Sequence, residues 1–235
     1  MIISRPIPAE QIKLLIFDLD GTLIDSRDDL VASVNAMLRH LGRPALPADL
    51  IASYVGDGAP MLVRRALGDP DDGQFFHSAL RYFLDYYREH KLDHTFVYPG
   101  IIEALRAMQS GNGAGARRMA VLTNKPVNPS RQIIEALGLS EFFVQVYGGN
   151  SFHTKKPDPL GAHTLLQETG ARAEETVIIG DSANDVLTGR NADLWTVGVS
   201  YGFAPHSLED APPDVLVNSP QELTEIFERR QEGKR

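Results

Sequence analysis

The chain contains no cysteine. Disulfides, thiolate catalysis and cysteine-based zinc sites are therefore excluded, and a reducing compartment is compatible with the composition. Long hydrophobic runs are lacking too. No stretch approaches the ~18 apolar residues a membrane helix needs. The N-terminus MIISRPIPAEQIKLLIFD has only the short run Leu14 to Phe17, which ends in acid, where a secretory signal would carry an apolar core. Basic charge is short as well: 23 Lys plus Arg against 31 acids, a net −8. That argues against nucleic acid or an anionic membrane as the main partner. A small anion is still admissible, because a local metal or lysine overrides the global field. A soluble, cytoplasmic protein is expected. What is present is 235 residues, 43% of them apolar. This is enough for a packed core, in one large domain or one domain carrying a smaller insert. Repeats and low-complexity tracts are absent.

Leu14 to Phe17 is wholly apolar and bounded by charge, the pattern of a buried parallel strand. Similar runs recur at Met119–Thr123, Val144–Tyr147, Thr176–Gly180, Trp195–Val199 and Val215–Val217. Helical spacing lies between them, at Ile101–Met108, Arg131–Leu137, Leu160–Thr169 and Glu222–Phe227, with Gly138 and Gly170 as C-caps. Strand-helix alternation predicts a Rossmann-like α/β core, a parallel sheet with helices on both faces. Residues 26–95 break the rhythm. Leu30, Val34, Met37, Leu38 and Leu41 form one helical stripe. Leu50 to Leu67 is a second, interrupted by VGDG at 55–58, and Phe75 to Tyr87 a third. The expected organisation is a discontinuous core, 1–25 and 96–235, with a helical insert over 26–95 placed to act as a lid. GNGAG at 111–115 reads as a flexible surface loop, since it lacks the GK[ST] ending of a phosphate cradle and precedes a strand. The tail QEGKR is expected to be disordered.

Ligands of an open parallel sheet bind beyond the carboxyl ends of its strands. After the first strand come Asp18 and Asp20. After MAVL come Thr123, Asn124 and Lys125, and after TVIIG come Asp181 and Asp185. The loop following VQVY carries Lys155 and Lys156 in KKPDP. Each segment alone is weak, for a lone DxD is usually a loop and TN after a strand usually caps a helix. All four at strand ends form a chemical set. Carboxylates gathered round one point need a divalent cation, and oxygen ligands of this kind suit Mg²⁺. A hydroxyl, main-chain amides and a lysine match the remaining oxygens of a phosphoryl group. Two residues apart in an extended segment, Asp18 and Asp20 point to one side while Leu19 turns to the core. Gly21 permits the sharp turn that follows. If a helix begins at Ser182, its first turn holds Asp185 beside the metal site.

DLDGTLIDS, LTNK, KKPDP and GDSANDV, in that order and with a helical insert after the first, resemble the haloacid dehalogenase (HAD) superfamily of aspartate-nucleophile phosphatases. The likeness spans about residues 12 to 230 and carries its own expectations. It implies an inserted helical cap of the small C1 type. Asp18 would be the nucleophile and Asp20 the acid-base residue. Thr123 and Lys156 would hold phosphoryl oxygens, with Gly21 and Asn124 at the substrate. Mg²⁺ would be held by the Asp18 carboxylate, the Asp20 main-chain oxygen and Asp181, with Asp185 in support. The presence of Asp20 argues against the dehalogenase branch. VGDGAPMLVRRAL and VSYGF resemble the phosphoglycolate phosphatase branch, whose substrate is a small phosphorylated metabolite. Arg64 or Arg65 is then a candidate for the substrate carboxylate by charge and position, against the alternative of a solvated helix face. His94 and His153 are expected to serve at the surface or in packing. One departure is TGRNADLW, where Asp193 stands near the glycine that the family has before its next strand.

Several alternatives stay open. A hexose-phosphate mutase would share Asp18, Asp20 and the metal, and phosphate release without a sugar acceptor separates the two. Phosphatases of sugar phosphates, nucleotides, pyrophosphate or an acetyl-muramate phosphate also remain. Phosphonoacetaldehyde hydrolysis needs a lysine early in the cap, and Ser26 to Leu67 has none. A phospho-aspartate signalling module would be about half as long and would lack both insert and DxD. Oligomeric state is not readable.

Overall fold

The structure, a computed structural model, describes residues 1–110 and 116–228. The GNGAG segment and the QEGKR tail lie outside the described residues. A seven-stranded sheet runs β1 (Ile2–Ile3), β9 (Val215–Val217), β8 (Trp195–Val199), β7 (Thr176–Gly180), β2 (Leu14–Phe17), β5 (Arg118–Leu122), β6 (Gln145–Tyr147). Every neighbouring pair is parallel except β1 with β9. Leaving β1 aside, strands β2, β5 and β6 are laid down in one direction and β7, β8 and β9 in the other. The order reverses between β2 and β7, and such a switch point opens a crevice at the strand ends.

Why β2 sits at the centre follows from its residues. All four side chains of LLIF are fully buried. Leu15 and Phe17 join one apolar cluster, with Leu105 of α5 (Ile101–Ser110), Ile133 of α6 (Val127–Ala136) and Leu223 of α9 (Pro220–Glu228). Leu14 and Ile16 join the cluster on the opposite face, with Ala162 and Leu165 of α7 (Leu160–Thr169). A strand covered on both faces must be apolar throughout, and each such burial stabilises by about 1.5–3 kcal/mol before chain ordering is counted.

Between β2 and α5 lies the insert: α1 (Arg27–His40), α2 (Ala48–Ala52), α3 (Ala59–Ala66) and α4 (Gly73–His90). It has its own apolar cluster, with Val34, Met37, Ile51, Val63 and Phe83, into which Phe203 of the core also packs. A short antiparallel strand pair closes its neck, β3 (Ile24–Asp25) against β4 (Phe96–Val97). Asp29 ties the same neck. Its buried carboxylate accepts the Thr95 hydroxyl at 2.7 Å and the N–H groups of His94 and Thr95.

Four of the six expected strands match to the residue; β5 is shifted by one position at both ends and β6 starts one residue later. Neither β1 nor the β3–β4 pair was expected, because two-residue strands carry no periodic signal. Helix α6 starts at Val127 instead of Arg131, directly after Pro126. Asp193 adopts φ 57°, so the turn does need the left-handed conformation that glycine favours, and aspartate tolerates it.

Candidate active site

Asp18 immediately follows β2 and Asp181 immediately follows β7, one on each side of the switch point. The register places Phe17 opposite Ile179, so the two carboxylates leave adjacent strands at nearly the same height. Asp185 comes from the first turn of α8 (Ala183–Asn191), whose N-cap is Ser182. Its Oδ2 accepts from the Ser182 hydroxyl at 2.7 Å and the Ser182 N–H at 3.2 Å. Gly180 makes room for it, since a Cβ there would collide with the Asp185 carboxylate. One oxygen from each of Asp18, Asp181 and Asp185 lies within 4.8 Å of the others, and all three residues are buried.

Lys156 enters this group from the loop after β6. Its Nζ donates to Asp185 Oδ1 at 2.5 Å and lies 2.9 Å from Asp18 Oδ1. The second contact is an ion pair without hydrogen-bond alignment, so Asp18 Oδ1 is left buried with no donor. One ammonium against three buried acids leaves negative charge in excess. Burial, with Asp185 adding to it and Lys156 opposing it, pushes Asp18 up to about 6. Burial together with the charges of Asp18 and Asp185 pushes Asp181 up to about 8. Asp181 Oδ2 is also pinned by the N–H groups of Phe203 at 2.6 Å and Ala204 at 3.2 Å. Gly21, at φ +81°, packs where any Cβ would strike that carboxylate. A buried, under-neutralised cluster of hard oxygens with one orphaned lone pair fits Mg²⁺.

Asp20 faces the same cavity but stands apart from the three-acid group. Ser26 Oγ donates to its Oδ1 at 2.6 Å, and Lys125 Nζ lies 2.9 and 3.0 Å from its two oxygens. Its side chain is therefore not among the clustered carboxylates, and only its main-chain oxygen is left for the metal role expected of it. Thr123 and Asn124 line the cavity. The Asn124 amide donates to Gly56 O at 2.9 Å and Lys156 O at 3.1 Å.

The cavity, about 60 Å³, is roofed by Leu30, Leu62, Phe83 and Tyr87 of the insert. The VGDG turn docks beside it: Asn184 donates to Asp57 Oδ1 at 2.8 Å and Lys155 to Asp57 O at 2.5 Å. Arg64 and Arg65 do not line the cavity. Arg64 pairs with Asp69 at 2.9 Å and lies over the Phe76 ring, while Arg65 pairs with Asp57 and with Tyr54 O. Helical geometry directs both arginines into contacts within the insert, so the expectation that one reads the substrate is not supported by their placement. Lys125 and Ser26, conversely, stood in the sequence motifs with no role assigned. Their clue was adjacency to a motif residue, and only the fold turns that into contact with Asp20.

The model of the haloacid dehalogenase-like hydrolase family matches residues 15–199. The chain belongs to that family. Among its relatives, the phosphoglycolate phosphatase of Chromobacterium violaceum is 40% identical over 225 residues, covering 93% of this chain and 97% of that one. The phosphoglycolate phosphatase of Photobacterium profundum is 36% identical, covering 92% and 96%. A crystal structure described as a predicted phosphoglycolate phosphatase from Haemophilus somnus superposes with a TM-score of 0.85 at 29% identity, over 93% of this chain and 99% of the other.

Proposed function

We propose that the protein is a Mg²⁺-dependent phosphatase that hydrolyses a small phosphate monoester, 2-phosphoglycolate, through an aspartyl-phosphate on Asp18. The observation that carries this reading is the buried group of Asp18, Asp181, Asp185 and Lys156 at the switch point. The names of the relatives supply the substrate. Asp18, Asp181 and the main-chain oxygen of Asp20 would hold Mg²⁺, with Asp185 bracing them. When bound, the ion offsets the clustered negative charge and that of the phosphoryl group.

The residues then divide the work. Lys156 and the Thr123 hydroxyl orient the phosphoryl oxygens. An Asp18 carboxylate oxygen attacks phosphorus, and the bond from phosphorus to the ester oxygen breaks. Asp20 gives its proton to the departing alcohol oxygen, then takes one from the water that attacks the aspartyl-phosphate. Phosphate leaves and Asp18 is regenerated. Residues 26–95 act as the cap domain over a core of 1–25 and 96–235, and its apolar roof keeps bulk water out during the first step. A soluble, cytoplasmic enzyme of this class meets its substrate without a membrane, and no described helix is long and apolar enough to cross one.

Phosphate release from a panel of esters, 2-phosphoglycolate among them, tests the proposal with and without Mg²⁺. Metal-dependent release without a sugar acceptor is expected. Activity in EDTA equal to that in Mg²⁺ would refute the metal role, and release only with a sugar acceptor would refute hydrolysis.

A further inference from the structure

We infer that Lys125, with the hydroxyl of Tyr87, is the reader of the substrate's carboxylate, and so a specificity-determining pair that spans core and cap. The inference rests on the phosphatase reading above and names what that reading lacks, a cation for the leaving group. A carboxylate entering the cavity has few choices. The roof is apolar, and an unpaired anion against such a wall is strongly disfavoured. Arg64 and Arg65 are committed elsewhere, and Arg27, against the Phe203 ring at 5.5 Å, does not line the cavity. Lys156 is occupied by Asp18 and Asp185, where the phosphoryl group is handled.

Lys125 lines the cavity, is buried, and sits on Asp20, the group proposed to protonate the ester oxygen. In a phosphorylated 2-hydroxy acid only one carbon separates that oxygen from the carboxylate carbon, so a cation beside Asp20 is also beside the carboxylate. An ammonium has three donors, of which the two Asp20 oxygens engage at most two. Tyr87 supplies the second, independent observation. Its ring lies 4.7 Å from Lys125 Nζ, the residue lines the same cavity, and its buried hydroxyl has no partner other than the Lys125 ammonium. A hydroxyl that accepts from an ammonium still has its own proton to donate, and such a buried donor beside a cation is suited to an anion. Because Tyr87 belongs to α4, the pair is complete only when the cap is seated on the core.

Selectivity separates a reader from a residue that merely positions Asp20. The two esters are 2-phosphoglycolate and 2-hydroxyethyl phosphate, an analogue of near-equal size with a neutral hydroxymethyl group in place of the carboxylate, whose leaving alcohol needs the same proton. Wild-type enzyme with Mg²⁺ is expected to prefer 2-phosphoglycolate in kcat/KM. In Lys125→Gln that preference should fall about 10- to 100-fold, chiefly through KM for the charged ester. Tyr87→Phe should lower it in the same sense by about 2- to 10-fold, and this variant keeps the ring that packs in the cap. Equal losses on both esters in both variants, or an unselective wild-type enzyme, would overturn the inference while leaving the phosphatase reading intact. Absence of cleavage of either ester by wild-type enzyme would instead refute that reading, and this inference with it. Should Lys125→Gln fail to fold, the wild-type preference and Tyr87→Phe decide.

Discussion

Raising the pH of the metal-free protein is expected to weaken it through Asp181. Its carboxyl is held up at about 8 by burial and by the neighbouring Asp18 and Asp185, against an ordinary value of 3.8. A raised folded-state value means that the group's contribution to stability is fully present below about pH 4 and is lost as pH climbs through 8. Between pH 5 and pH 8 nearly three units of that window are traversed, at about 1.4 kcal/mol each, so this one group removes about 4 kcal/mol. For a chain of this size that lowers the melting temperature by about 10 °C. Thermal melts in EDTA at pH 5 and pH 8 measure it for wild-type protein and for Asp181→Asn, which has no such proton to lose. Subtracting the variant's profile removes the contributions of histidines and other acids. Added Mg²⁺ should return part of the wild-type stability at pH 8, about 2.7 kcal/mol at a hundred times its dissociation constant, and leave Asp181→Asn nearly unmoved. Parallel pH profiles for the two proteins in EDTA would refute the claim that the cluster is under-neutralised without a cation.

Other perturbations sort the remaining parts of the site. Asp20→Asn should lower turnover by about 10²- to 10⁴-fold while preserving the melting profile, measured as phosphate release. Arg64→Ala should leave KM within about twofold of wild type, since its partners are Asp69 and the Phe76 ring; a large rise in KM would restore the arginine to the substrate. Asp193→Gly should gain about 1 kcal/mol in urea denaturation, because the residue occupies φ 57°.

Which parts of this were legible in the sequence has a physical logic. Buried parallel strands need apolar side chains on both faces, so LLIF and TVIIG announced β2 and β7, and the acids after them announced the crevice. Local rules also reached Asp185, since Ser182 as N-cap fixes where a residue three positions later must point. Contacts made only by chain crossings were out of reach. Lys125 and Asp20 are separated by 105 positions, and nothing in LTNK says that its lysine turns toward the first strand's second acid. The placement of the arginines was out of reach for a related reason. Charge and position in the insert made them candidates, but whether an arginine faces a cavity or an aspartate of its own neighbourhood depends on helix rotation, which the stripe of Leu62, Val63 and Ala66 sets.

The most direct measurement of the central claim is chemical capture of the nucleophile. Enzyme mixed with Mg²⁺ and substrate, quenched in acid within one turnover and reduced with borohydride, should carry homoserine in place of aspartate at position 18 by peptide mass spectrometry. Conversion at any other acid, or undiminished phosphate release by Asp18→Asn, would contradict the account.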